Sequence, residues 1–222
     1  MALVGLPAVL CLGSMELKLE KFVRHEIGQG FTFFIGGLAN SLIPDAAQFE
    51  ELWQMHPQEF HEIELYGRSV KTPRWQQAFG RDYHYTGRVN RALPTPSNLE
   101  PFLRWSREHI DQALNSILVN WYDGALGHCI GPHRDSTKDM VPGSPIVTIS
   151  LGDERIFRLR HWRVRSKSKP TDFPARHGTV FIMPWETNLS FTHEVPKSSH
   201  NTGRRISITL RAFLKTGTVA TA

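Results

Sequence analysis

Cysteine is scarce, with only Cys11 and Cys129 in 222 residues. Two thiols cannot staple a domain of this size, so a disulfide framework is excluded, and the expected setting is an intracellular, reducing compartment, cytoplasmic or nuclear. Long hydrophobic runs are missing too. The most apolar stretch, Ala2 to Gly13, has no basic segment before it and is too short to cross a bilayer. That argues against a signal peptide, an anchor and a membrane partner, and Met15 offers an alternative start. There is no internal repeat and no low-complexity tract, which excludes solenoids and disordered linkers. Acidic residues are in deficit: Lys and Arg number 26 against 21 for Asp and Glu, a formal charge of +5. An anionic partner suits that balance without being specified by it. What remains is ordinary globular composition, 40% hydrophobic and 21% charged, enough for one well-buried domain and with nothing that demands more than a monomer.

Read in order, residues 1–25 are poorly specified. The Gly-bounded aromatic run between Glu26 and Gly37 reads as a short buried strand. Asp45 is placed to cap an amphipathic helix whose inner face carries Phe49, Leu52 and Trp53. Glu62 to Val70 reads as half of a hairpin, with Gly67 at or near its turn. The following stretch, Arg74 to Arg88, interleaves bases with aromatics, a pattern that suits nucleic acid because cations take phosphates and rings take bases. An ordinary strand with solvated arginines would read the same way. Ser97 and Glu100 have capping-box spacing for a helix reaching about Leu114, with Leu99, Phe102, Leu103, Ile110 and Leu114 as its buried stripe. Thereafter the pattern is β: Ile117 to Trp121, Ile146 to Leu151, Arg155 to Arg160, Thr179 to Met183 and Ile206 to Phe213. Five such runs after two helices predict a mainly β fold, an α/β flank packed on a sandwich or jelly roll. The basic run Arg160 to Lys169 reads as a surface loop.

Chemistry concentrates at His133-Arg134-Asp135. In extended backbone, side chains at i and i+2 point the same way, so this pair can offer two ligands to one ion. His109-Ile110-Asp111 has the same spacing within a helical pattern, where the two side chains diverge. A third ligand is sought among His161, His177, His193 and His200, and His193 stands out because it follows the β-prone Phe191-Thr192. Two His and one Asp form a facial triad that leaves three positions open and suits non-haem Fe(II); zinc more often recruits a thiolate or a third His. A dicarboxylate co-substrate such as 2-oxoglutarate needs a buried bidentate cation, and Arg205 and Arg211, six residues apart on the last run, fall on one face of a strand. Exposure of that face to solvent is the alternative.

Taken together, Asn120-Trp121-Tyr122, His133-Arg134-Asp135, His193 and the closing Arg205 to Arg211 pair resemble, in order and over about Phe31 to Phe213, the AlkB family of Fe(II)- and 2-oxoglutarate-dependent dioxygenases. The likeness is greatest to the branch that repairs alkylated duplex DNA. Pro142 to Ile146, Ser150-Leu151-Gly152 and His177-Gly178-Thr179 match as well. The resemblance implies a double-stranded β-helix (jelly roll) core over 117–215, preceded by a nucleic-acid-gripping α/β extension over 26–116, the two forming a single domain over 26–215. It implies that His133, Asp135 and His193 bind the metal, that Asn120, Tyr122 and Arg205 hold 2-oxoglutarate, and that Arg211 completes the site beside the carboxylate ligand. It implies a substrate side too: Tyr83 and Tyr85 on a base-gripping strand, and Leu65-Tyr66 as a finger that fills the gap left by an extruded base; the basic interleaving adds Arg74 as a candidate phosphate contact. Two departures stand out. Tyr66 replaces the usual phenylalanine of the finger, and Ser136 replaces an acidic residue that contacts the substrate in relatives. The implied activity is oxidative dealkylation of DNA bases, giving the repaired base, an aldehyde, succinate and carbon dioxide. The expected partner is duplex DNA, with single-stranded DNA, RNA, 5-methylcytosine or a non-nucleic substrate as alternatives. An inactive nucleic-acid-binding β-helix is the alternative from another class.

Overall fold

The computed structural model describes residues 21–85, 88–163, 169–200 and 202–214. Its framework is two antiparallel sheets. The larger contains β1 (Val23–Glu26), β2 (Thr32–Gly37), β5 (Trp75–Phe79), β8 (Ser116–Asp123), β10 (Ile146–Gly152), β13 (Thr179–Met183) and β15 (Arg204–Arg211), ordered β1-β2-β13-β10-β15-β8-β5. The smaller runs β12-β11-β14-β9, from β9 (Ile130–His133), β11 (Arg155–His161), β12 (Thr171–Ala175) and β14 (Phe191–Val195). From β8 onward the chain crosses repeatedly between sheets, and the eight strands β8 to β15 divide four and four. That winding is a jelly roll, so the mainly β expectation is met. Strands β2 and β5 pair with β13 and β8, which extends the larger sheet at both edges.

Period-2 alternation decides what each face of the larger sheet sees. On β15, Ile206, Ile208 and Leu210 point toward the helical layer, while Arg205, Ser207, Thr209 and Arg211 point between the sheets; all are buried. On β8, Val119 and Trp121 join the first set and Asn120 and Tyr122 the second. Helices α1 (Ala46–Gln54) and α2 (Glu100–His109) cover the apolar face through Leu52, Trp53 and Phe102. The Trp121 indole donates to the carbonyl of Leu52 at 2.9 Å, which ties α1 to the sheet. A second core, rich in phenylalanine, fills one end of the space between the sheets with Phe33, Phe157, Phe173, Phe181 and Phe191.

Asp45 caps α1 as expected, in a capping box with Gln48. The stretch read as half of a hairpin forms both strands of one: β3 (Glu62–Leu65) and β4 (Arg68–Lys71) meet at Tyr66-Gly67, both at positive φ. The second helix differs from expectation. It starts at Glu100 after Leu99, has no side-chain cap and ends at His109, because Ser97 lies in a preceding turn where the amides of Leu99 and Glu100 bond the carbonyl of Pro96. Leu114, beyond the helix, is buried nonetheless. Strands β6 (Tyr83–Tyr85) and β7 (Arg88–Asn90) form a separate ribbon. Thr86, Gly87, Val164 to Ser168 and the side chains of Leu65 and Tyr85 lie outside the described residues.

Candidate active site

The polar inner faces of β8, β10 and β15 and the ends of β9 and β14 enclose one cavity. His133 ends β9 and His193 lies opposite it on β14, paired in register, with ring centroids 4.2 Å apart. Asp135 follows two residues after His133. Its Oδ1 is 3.9 Å from Nε2 of each imidazole. One cation with bonds of about 2.0–2.2 Å can bridge donors at that spacing. Among the described residues this is the one cluster of three or more such donors whose atoms converge, all within 4.8 Å.

The surroundings fix which atoms face that centre. Asp135 is held by three residues. Arg211 Nε and Nη2 both donate to its Oδ2, at 2.8 and 2.6 Å, and the Tyr83 hydroxyl donates to Oδ1 at 3.2 Å. Its backbone is gripped by Asn188, whose Oδ1 accepts from the Asp135 amide and whose Nδ2 donates to its carbonyl, each at 3.0 Å. With Oδ2 taken, Oδ1 is the oxygen left to the imidazoles. Burial alone would raise the carboxyl's pKa, but Arg211 and the two histidines outweigh it and hold the group well below the usual carboxylate range. His133 Nδ1 lies 2.9 Å from the carbonyl of Gly131. A carbonyl only accepts, so Nδ1 carries the proton and Nε2 keeps its lone pair. Burial, with His193 alongside, pushes His133 down to about 3, and burial lowers His193 as well. Two neutral imidazoles and an anionic carboxylate, all aimed inward, are the donor set a hard-to-borderline divalent cation takes.

Beside them lies an unbalanced cation. Arg205 is fully buried; its Nε donates to Ser150 Oγ at 2.9 Å, its guanidinium carbon lies 5.2 Å from the Tyr122 ring centroid, and neither Nη has a hydrogen-bond partner. Burial lowers its pKa from 12.5 to about 10. Orphaned guanidinium nitrogens inside a cavity are costly unless an anion completes them. The arrangement therefore fits a carboxylate ligand lying between Arg205 and the histidines, next to Asn120 and Tyr122.

Two residues expected on the substrate side lie in the inner cavity. Arg74, read as a phosphate contact, is 3% exposed and lines this same cavity. Its Nε donates to Asn120 Oδ1 at 2.7 Å and its Nη2 to Gln76 Oε1 at 2.8 Å, so it is withdrawn from the surface. Tyr83, read as part of the base grip, is buried against Arg211 and spends its hydroxyl on Asp135. Ser136 is exposed and lines an outer cleft that shares Asp135 with the inner cavity. Tyr66, at the hairpin tip, is wholly exposed. His109 and Asp111 do not converge: His109 bonds the carbonyl of Trp105, and Asp111 pairs with Ser144. Sequence reasoning missed Asn188, which no local pattern marks, and Ser150, noticed only as matching text.

Comparison with known proteins gives three results. The profile of the 2OG-Fe(II) oxygenase superfamily matches residues 38–211. The DNA oxidative demethylase ALKBH2 of Homo sapiens is 31% identical over 163 residues, 69% of this chain and 62% of that protein, and the Mus musculus ALKBH2 is 30% identical, with 69% and 67% covered. The chain thus spans roughly two-thirds or less of the length of these relatives. A solved structure of OsALKBH1 superposes with a TM-score of 0.55 over 85% of this chain and 99% of that one, at 16% identity, which bears on the fold alone.

Proposed function

The chain belongs to the 2OG-Fe(II) oxygenase superfamily, and we propose from this premise that it is an Fe(II)- and 2-oxoglutarate-dependent dioxygenase that removes alkyl groups oxidatively from DNA bases. The substrate class follows the relatives named DNA oxidative demethylase. The observation that carries the reading is the pairing of a three-donor cluster with the fully buried, half-satisfied guanidinium of Arg205 in one cavity. The first suits Fe(II) and the second a dicarboxylate, and a family that needs both supplies a reason for each.

In this reading His133, Asp135 and His193 hold the metal, while Arg205, Asn120 and Tyr122 hold 2-oxoglutarate. When bound, the metal and co-substrate supply the oxidation of the alkyl carbon by dioxygen. The chain's own part is position and charge. Arg211 keeps Asp135 ionised and turned, the two imidazoles stay neutral, and the Arg74 bond to Asn120 Oδ1 turns the amide's NH2 away from Arg74.

Duplex DNA is the finer proposal, and Tyr66 supports it. A tyrosine with φ of 51° sits where backbone strain favours glycine, yet its ring is in solvent. A strained, exposed aromatic at a hairpin tip is what a finger needs if it is to refill the stack after a base is extruded. Tyr85, on the neighbouring ribbon, is the proposed stacking partner of the extruded base. No helix among the described residues is long and apolar enough to cross a membrane, and a reducing compartment with access to DNA fits the proposed activity. The test is anaerobic reconstitution with Fe(II), followed by oxygen, 2-oxoglutarate and an N-methylated oligonucleotide, single-stranded or duplexed. Mass spectrometry should find the mass loss of one methylene and one succinate per turnover. Succinate formation with an unchanged oligonucleotide would reject the substrate.

A further inference from the structure

The wall of the outer cleft carries a feature that the chemistry above does not use. Helix α3 (Trp185–Ser190) ends in three residues that each pin a different part of this wall. Asn188 clamps the backbone of Asp135, the carbonyl of Leu189 accepts from Arg134 Nη1 at 2.7 Å, and the carbonyl of Ser190 accepts from the Trp162 amide at 2.8 Å. Arg134 then places its guanidinium carbon 4.5 Å from the Trp162 ring centroid. A large aromatic that is 42% exposed is thereby fixed relative to the metal-binding carboxylate. The cleft that Trp162 lines has a volume of about 950 Å³ and is flanked by Arg88, Arg134 and Lys138. An exposed ring among cations matches the two chemistries of a nucleic-acid strand, a base and its phosphates.

We propose that Trp162, held by Arg134, is a stacking shelf for an unpaired base next to the reacting base on the same strand. The proposal rests on the reading of the chain as a nucleic-acid dioxygenase and deepens it. The reacting base must approach the inner cavity, which Trp162 does not line; only Asp135 is common to both spaces. The shelf therefore meets a neighbour. Because the ring is held in place, little rotamer entropy is lost when a base lands on it. A base held in a duplex by its complement is not available to the shelf, so the benefit falls on single strands, whereas Tyr66 serves duplexes.

The experiment measures equilibrium binding of a fluorescein-labelled, single-stranded oligonucleotide carrying one N-methylated base, by anisotropy, with the full chain and without iron. Trp162→Ala should weaken binding roughly 5- to 150-fold, the range for loss of one base–aromatic stack. Trp162→Phe should recover most of it, and the duplexed oligonucleotide should change less than about twofold on the same scale. An abasic nucleotide on one side of the methylated base should cost the wild type as much as Trp162→Ala does, and cost that variant nothing more. Melting curves check that each variant is folded, and the abasic arm tests the wild type even if Trp162→Ala is not. Unchanged single-strand affinity for Trp162→Ala, or abasic losses that add to the mutation on both sides, overturn the shelf while leaving the function intact. A wild type that binds none of the oligonucleotides at low salt overturns the function, and the shelf with it.

Discussion

Replacing Arg205 by methionine separates what the fold tolerates from what the site requires. The guanidinium is fully buried, one nitrogen bonds Ser150, and both Nη atoms lack partners. Its pKa is lowered by burial from 12.5 to about 10. At 1.36 kcal/mol per unit, the charge costs the ligand-free protein about 3 kcal/mol. Methionine has a similar reach, bends to fill the space and brings no charge. Arg205→Met should therefore unfold in urea at the same or a higher concentration than wild type, a gain of about 0 to 3 kcal/mol without ligand. With Mn(II) in place of iron to prevent turnover, 2-oxoglutarate at a hundred times its Kd should stabilise the wild type by about 2.7 kcal/mol. The variant should gain almost nothing, since losing the charge partner of a buried carboxylate costs about 3 to 5 kcal/mol, or roughly a hundred- to several-thousand-fold in affinity. Urea melts with and without 2-oxoglutarate measure both halves. A ligand-free variant clearly less stable than wild type, or one that keeps the wild-type gain, would refute the assignment of Arg205 as the anion's partner.

The remaining predictions concern the metal, pH and DNA. His133→Ala, Asp135→Ala and His193→Ala should each abolish turnover and high-affinity Mn(II) binding, because three protein ligands leave no redundancy; retained binding by calorimetry in any one would remove that residue from the set. The folded pKa of His133 is depressed from 6.5 to about 3, so the unfolded chain takes up a proton that the folded one refuses. Metal-free stability should therefore be full above about pH 6.5 and fall progressively as pH drops toward 3, while Mn(II) affinity stays nearly flat between about pH 5 and 8. A stability profile that rises on acidification, or an affinity that drops tenfold or more per pH unit below 6.5, would show that the imidazoles are not held neutral. Tyr66→Ala should leave the melting temperature unchanged, since the ring touches no core, and remove most activity on duplex substrate while sparing single strands; equal losses on both would reject the finger. Binding should weaken steeply with salt, and Arg68→Ala with Arg88→Ala should reduce the slope of log Kd against log salt by about two units on duplex. A slope near zero in the wild type would point away from nucleic acid.

Local regularities were legible without coordinates. The cap at Asp45, the turn at Tyr66-Gly67 and the strand Thr179–Met183 follow from short-range rules of capping, positive φ and alternation, and each stands where it was read. The metal cluster was legible for a related reason: His133 and Asp135 are near neighbours in sequence, and His193 was one of few histidines in a β-prone run. Short, irregular strands were not. β1, β9, β12 and β14 have four or five residues each and too few alternations to show a period. Two of them nonetheless carry metal-ligand candidates, His133 as the last residue of β9 and His193 in the middle of β14.

Sequence by itself determined that residues alternate along β15 between Ile206, Ile208, Leu210 on one face and Arg205, Ser207, Thr209, Arg211 on the other. It could not say which of those faces met water, since an ordinary half-exposed antiparallel strand reads the same. Tertiary structure decided it: the second sheet closes over the polar face, so arginines that a surface would solvate are buried, Arg211 against Asp135 and Arg205 with both Nη atoms unpartnered, as the proposed carboxylate ligand requires. Arg74 makes the same point in reverse. Its spacing among bases and aromatics fitted a surface cation, but β5 pairs beside β8 in a register that sets Gln76 opposite Asn120 and carries Arg74 inward to that amide. Alternation is a property of the chain, whereas burial depends on which distant strand comes to lie alongside, and only the folded molecule contains that information.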